Sequence, residues 1–290
     1  MISRNKIFIF SFLFFVSFCT FSNNKKFHLY INRGIFATVK NTTFPFLAFN
    51  KDSTFNQLNE TIIAVIGDTI SLVVINNDSV HHGFAIKNSS VTVNSINPGD
   101  SVQLSFSSAV HSAFIYYDNL QFPTFNYLGL SGIIYFKPVG ANKNYFWNIK
   151  EHQTSYSTIL ASGGAVNWNN YQPDYYTINS KSFPDLQIDS LAKINAHVGD
   201  TLYIVAANTG HSAHSLHFHG FHTESIFTDA KNLKNSWVKD TWGMFSMDIV
   251  VMKMVPDKIG KYSVHDHNLV AVTGGNTHPN GMFTIMEINP

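Results

Sequence analysis

Cysteine is almost absent from this chain: one residue in 290, Cys19. A lone thiol excludes a disulfide framework, and it excludes zinc or iron–sulfur sites built from several thiolates. Charge is scarce too, at 13% of residues, and balanced, with 19 basic against 18 acidic side chains. No basic run of five occurs, which argues against nucleic acid as a partner. Long apolar runs are missing as well: the longest, Ile7 to Phe21, falls short of the ~20 residues that a membrane-spanning helix needs. What is plentiful is hydrophobic residues, 44% of the chain, and histidine, 14 residues. That is enough apolar material for a sizeable core, in one large domain or two ordinary ones.

The apolar run follows a basic start at Arg4 and Lys6, so residues 1–22 read as a signal peptide. The expectation is a periplasmic or secreted protein with no membrane contact after cleavage; an uncleaved anchor is the alternative. Val16-Ser17-Phe18-Cys19 faintly resembles a lipoprotein box, but Phe18 is bulky where a small residue is required. Cleavage near residue 22 removes Arg4, Lys6 and Cys19, leaving a mature chain without cysteine.

Past residue 22 the chain alternates, with β-branched runs between turn residues and no long 3.6-residue periodicity, which predicts an all-β protein. Strands are expected at Thr61 to Ile66, Ser71 to Ile75, Ser101 to Phe106, Gly132 to Phe136, Thr201 to Ala206, Asp248 to Met254 and Phe283 to Ile288. An internal repeat organises them. Gly67-Asp68-Thr69 with the run to Asn77 is echoed by Gly199-Asp200-Thr201 with the run to Asn208. His82-Gly83-Phe84 is paired with His219-Gly220-Phe221, Tyr116-Tyr117-Asp118-Asn119 with Tyr262-Ser263-Val264-His265-Asp266-His267, and Gly132 with Gly281. Four landmarks in one order predict two copies of a β-domain, residues 23–140 and 141–290, joined where Pro, Gly and Asn cluster.

Five histidines fall between His211 and His222, and three more follow. Imidazoles two apart on a strand share a face, and neutral imidazole is the commonest ligand for copper and zinc. His217/His219 and His265/His267 both have that spacing; on neighbouring strands the four would converge on one metal ion.

The sequence His214-Ser215-Leu216-His217-Phe218-His219-Gly220 resembles the HxxHxHG element of multicopper oxidases. Gly260 to His267, with Gly281-Met282, resembles their closing Gly-x-Tyr/Trp-x-x-HCH…GM segment. The resemblance implies two cupredoxin-like Greek-key β-sandwich domains with copper bound by paired histidines. It makes His217, His219, His265 and His267 ligands of an oxygen-reducing copper cluster, and His214 and Met282 ligands of a separate blue copper. The cysteine that a blue copper requires stands here as Asp266, and a carboxylate cannot replace a thiolate bond, so the blue site is absent. Asp266 becomes a candidate catalytic residue, orienting an imidazole or relaying protons.

In the first half the family's HxHG is reduced to His81-His82-Gly83, and its HxH to Tyr117-Asp118-Asn119, leaving His82 as a further candidate ligand. The expected function is an exported copper-dependent oxidoreductase acting directly on a small substrate such as dioxygen, nitrite or a phenol. The alternatives are a non-catalytic module that handles copper or holds zinc, and a nitrite-reductase-like homotrimer whose neighbouring subunits complete the site. Met244, Met247, Met252, Met254 and Met282 would suit monovalent copper in the metal-handling reading, or fill a core.

Overall fold

A computed structural model describes residues 23–290; the expected leader, residues 1–22, lies outside the described residues. Nine strands occupy the first half: β1 (Asn24–Ala37), β2 (Thr43–Asn50), β3 (Ile62–Val65), β4 (Thr69–Asn76), β5 (His82–Ile86), β6 (Thr92–Ile96), β7 (Ser101–Ser107), β8 (Ser112–Tyr117) and β9 (Ser131–Lys137). Eleven follow: β10 (Asn144–His152), β11 (Tyr175–Ile178), β12 (Asn195–His197), β13 (Leu202–Asn208), β14 (His214–Phe218), β15 (Thr223–Thr228), β16 (Val238–Lys239), β17 (Thr241–Met244), β18 (Ile249–Met254), β19 (Gly260–Asp266) and β20 (Phe283–Asn289). All seven strands expected from alternation are present, with ends shifted by at most two residues.

The strands form four sheets, ordered β2-β1-β4-β7, β3-β9-β8-β5-β6, β11-β10-β13-β18-β15-β16 and β12-β20-β19-β14-β17. One core fills the space between the first two sheets, with Ile31, Phe49 and Leu72 facing Phe84, Tyr116 and Phe136. Another lies between the last two, where Trp147 stacks on Phe218 with ring centroids 5.4 Å apart. A third cluster joins the halves, packing Ala113, Ile115, Ile133 and Tyr135 against Phe146, Val205, Ile249 and Val251. The molecule is therefore four sheets deep.

This layering explains the two kinds of strand in the sequence. β7 alternates exposed and half-buried residues because its sheet is outermost, whereas β9 and β18 are apolar on both faces because theirs are inner. Met244, Met252, Met254 and Met282 all lie in the second core, and Met247 lies in the cluster between the halves. Each such burial stabilises by about 1.5–3 kcal/mol.

The outermost sheet of the second half carries β14 and β19, and here alternation positions the chemistry. His214, Leu216 and Phe218 point inward, and Ser215 and His217 outward. The same parity buries Val264 and Asp266 and leaves His265 part-exposed.

Candidate metal centre

β14 and β19 are antiparallel neighbours, with His217 directly opposite His265 and Leu216 opposite Asp266. His219 extends from the end of β14, and the His267 amide donates to the Ser215 carbonyl at 2.6 Å. The four imidazoles consequently gather on one outward face. Ring centroids are 4.5 Å apart for His217 and His219, 5.4 Å for His217 and His267, and 5.1 Å for His219 and His265. The His219 and His265 Nε2 atoms lie 3.0 Å apart. His265 Nδ1 donates to the Asp266 carbonyl at 2.8 Å, and since a carbonyl only accepts, the neutral ring keeps its lone pair on Nε2. Thr241 on β17 contacts His217 Nδ1 at 2.8 Å. Burial, with the neighbouring His217 and His265, holds His219 below the ordinary histidine value and so favours its neutral form.

His214 and Asp266 lie on the other face of the same strands. His214 Nδ1 donates to Asp266 at 2.5 Å and Nε2 to Glu151 of β10 at 2.9 Å, all three side chains being buried. Glu151 Oε1 also accepts from the His211 and Ser212 amides, each at 2.7 Å. Asp266 Oδ1 accepts from the Ser215 and Asn268 amides at 3.3 and 2.8 Å. A ring that donates from both nitrogens is an imidazolium. Burial lowers the His214 pKa, but Asp266 and Glu151 outweigh it and raise the ring to about 9. Glu151, pushed up by burial, is pulled further down by His214 to about 2.

The first half holds a twin of this array. His82 Nδ1 donates to Asp118 at 2.7 Å and Nε2 to Asp78 at 2.9 Å, and Asp118 Oδ1 accepts from the Gly83 and Leu120 amides. Burial lowers His82, and the Asp118 and Asp78 carboxylates raise it above its ordinary value.

The comparisons place this geometry among known proteins. A sequence model of the family described as multicopper oxidase matches residues 139–279. The fold resembles a blue copper oxidase from Nitrosomonas europaea, with TM-score 0.77 and 22% identity over 92% of this chain and 86% of that one. It also resembles the multicopper oxidase mgLAC, with TM-score 0.75 and 21% identity over the same shares. Residues 139–279 thus match the multicopper oxidase family, and the fold of the chain is that of copper oxidases of known structure. A copper nitrite reductase from Nitrosomonas europaea matches with TM-score 0.70 and 17% identity, covering 92% of this chain and 94% of that one. No curated protein sequence matches the chain.

Within the multicopper-oxidase pattern, the structure gathers His217, His219, His265 and His267 but does not bring His214 or His82 to them. Both nitrogens of each of those two rings are engaged by carboxylates, so neither offers a lone pair. Met282 is fully buried in the core and His278 is exposed beside Pro279. Asp266 is fully buried, and its side chain holds His214 rather than either flanking imidazole.

Among the described residues no three His, Cys, Asp or Glu side chains form a closed metal-binding set. Their chemistry nevertheless fits copper or zinc. Two nitrogens 3.0 Å apart subtend about 95° at a metal about 2.0 Å from each. Sequence reasoning missed Glu151; the available signal was three consecutive ionisable residues, Lys150-Glu151-His152, closing an apolar strand.

Proposed function

We propose that the protein is an exported copper oxidoreductase acting on a small substrate such as dioxygen, nitrite or a phenol, without a blue-copper relay. The observation that carries this reading is the gathering of His217, His219, His265 and His267 on one exposed face of neighbouring strands. Copper held there would supply one-electron redox chemistry at the surface. The chain's part is to present Nε2 of His265, to orient His217 through Thr241, and to lock β14 to β19 through Asp266. Electrons would pass directly between substrate and site, because the place of the relay cysteine is held by the Asp266–His214 ion pair.

Copper analysis of the purified protein tests this, with His217→Ala and His265→Ala as controls. Bound copper lost in both variants, with oxygen consumed by the wild type when a phenol supplies the electrons, or nitrite consumed when a reductant is added, supports the reading. Copper-free wild type, or unchanged copper in both variants, removes it.

That same ion pair favours a second reading, a non-catalytic copper-handling or zinc-holding module, which would bind metal at the same four residues with no turnover. The exposed Leu269 and Val270, just past His267 and Asn268, suit packing against a second copy that completes the site, and a trimeric mass lost on Leu269→Lys would support this. Export rests on the residues 1–22 pattern and is tested by the N-terminus of the mature protein.

A further inference from the structure

One long strand edge of the four sheets is bare. β7 pairs with β4 alone, whereas its counterpart in the second half, β18, lies between β13 and β15. The two halves otherwise agree strand for strand: β2-β1-β4-β7 repeats as β11-β10-β13-β18, with the same parallel and antiparallel pairings. The second half then adds β15 and β16, carried by residues 219–240 between β14 and β17. In the first half only residues 87–91 join β5 to β6, too few to form a covering hairpin.

The ladder fixes which backbone groups are bare. The Asn76 amide donates to the Asp100 carbonyl, so with a period of two Val102, Leu104 and Phe106 turn their backbone groups to β4. Ser101, Gln103, Ser105 and Ser107 turn theirs outward, in a row with no backbone partner among the described residues. Such edges invite strand addition, and proteins guard them by shortness, charge, proline or cover. β7 has none of these guards, running for seven residues, Ser-Val-Gln-Leu-Ser-Phe-Ser, without a charge. The other edge strands are guarded. β3, β6, β11, β12, β16 and β17 have five residues or fewer. β2 carries Pro45 and is covered where the Leu47 amide donates to the Leu128 carbonyl and the Phe49 amide to the Asn59 side chain.

We infer that β7 is a dimerisation edge, taken by β7 of a second copy of this chain, so that β2-β1-β4-β7 continues into an eight-stranded sheet across a twofold axis. The strand is complementary to itself. With the axis at Leu104, Ser101 of one copy lies opposite Ser107 of the other and Gln103 opposite Ser105, so outward backbone groups meet along the whole strand. On one face serine and glutamine meet serine. On the other, half-buried Val102 meets Phe106 and Leu104 meets its own copy, covering apolar surface that the bare edge leaves part-exposed. No like charges are opposed. One strand pair is smaller than the ~1,200 Å² of a standard stable interface, so the dimer is weak and depends on concentration. This assembly is independent of copper at the four-histidine face.

Sedimentation equilibrium of the full chain at about 100 μM tests it. Gln103→Pro removes an outward amide and no bond to β4, and Gln103→Lys, an exposed change, keeps the test decisive where the proline variant melts early. Either should halve the assembly mass, from dimer to monomer or, where the Leu269 face also assembles, from hexamer to trimer. In a Cys19→Ser background, Leu104→Cys stands at a non-hydrogen-bonded pair with Cα atoms about 4.5 Å apart and should form a disulfide dimer on mild oxidation. Ser107→Cys, six residues out of register with its own copy and so about 20 Å from it, should not. A monomeric wild type, or a mass that neither variant halves, overturns the inference, whether the edge stays bare or another protein takes it. So does a Leu104→Cys chain that crosslinks no faster than Ser107→Cys, as unspecific encounters would.

Discussion

His152 shows how far a single residue departs from its ordinary chemistry here. It closes β10, is 1% exposed, and lies among Phe36, Phe44 and Phe46 with ring centroids 5.1–5.6 Å away. Its Nδ1 has no hydrogen-bond partner. Burial, with Lys150 beside it, pulls the ring down to about 3, so the folded protein holds it neutral. The unfolded chain takes up a proton at this residue below about pH 6.5 and the folded chain does not, so stability falls as pH drops through that range. His152→Phe should flatten the denaturation midpoint between about pH 6.5 and 4.5, where Glu151 does not yet contribute. An unchanged slope in urea melts would reject the assignment. Asp266 gives a second residue-scale expectation: Asp266→Asn weakens the clamp on His214, lowering stability by about 1.5–3 kcal/mol as a charged hydrogen bond is lost, while copper stoichiometry persists. Thermal melts and metal analysis of one preparation read both.

At the scale of elements, the loop between β13 and β14 is shaped by what it omits. Gly210 leaves the volume that Glu151 fills, so Gly210→Ala should destabilise by about 1–3 kcal/mol through overpacking of a buried ion pair. A melting temperature equal to wild type would show that the loop yields freely. The repeated turn before β4 and β13 is legible in both structure and sequence: Gly67 and Gly199 take φ of 88° and 84°, a region costly for residues with a Cβ. The match between Asp118 and Asp266 holds in three dimensions, since each accepts from two backbone amides and clamps one imidazole. The pairing of His82 with His219 does not. His82 corresponds to His214, because the fold aligns residues by their distance from a paired strand, while His-Gly-Phe is too short a string to fix a register.

Across the whole molecule, two buried bases oppose each other above neutrality. Lys150, buried and donating only to the Asn126 and Thr209 carbonyls, is pulled down to about 7 by that burial. Its folded pKa lies below the unfolded one, so it adds stability as pH rises from about 7 toward 10.5. His214 lies the other way, from 6.5 to about 9: its contribution is complete below 6.5 and is lost as pH rises through about 9. The two cancel between about pH 7 and 9, predicting a flat stability profile there. Lys150→Met should unmask the histidine and make stability fall across that window, whereas a profile still flat would sink the balance.

Strand alternation, the repeated Gly-Asp turns and the spacing of the two HxH pairs were written in the sequence, because each depends on chain-local geometry: a period of two, a positive φ, one face of one strand. From them followed an all-β chain with two sandwiches and four histidines on a shared face. Which residues stand behind that face was a matter for tertiary structure alone. Glu151 reaches His214 across 63 positions of sequence, through a gap that exists only because a glycine faces it, and no local pattern records such a meeting. The same holds for the lost relay position. The sequence shows aspartate where the family carries cysteine; only packing reveals that this aspartate has joined a buried ion array with a twin in the first half.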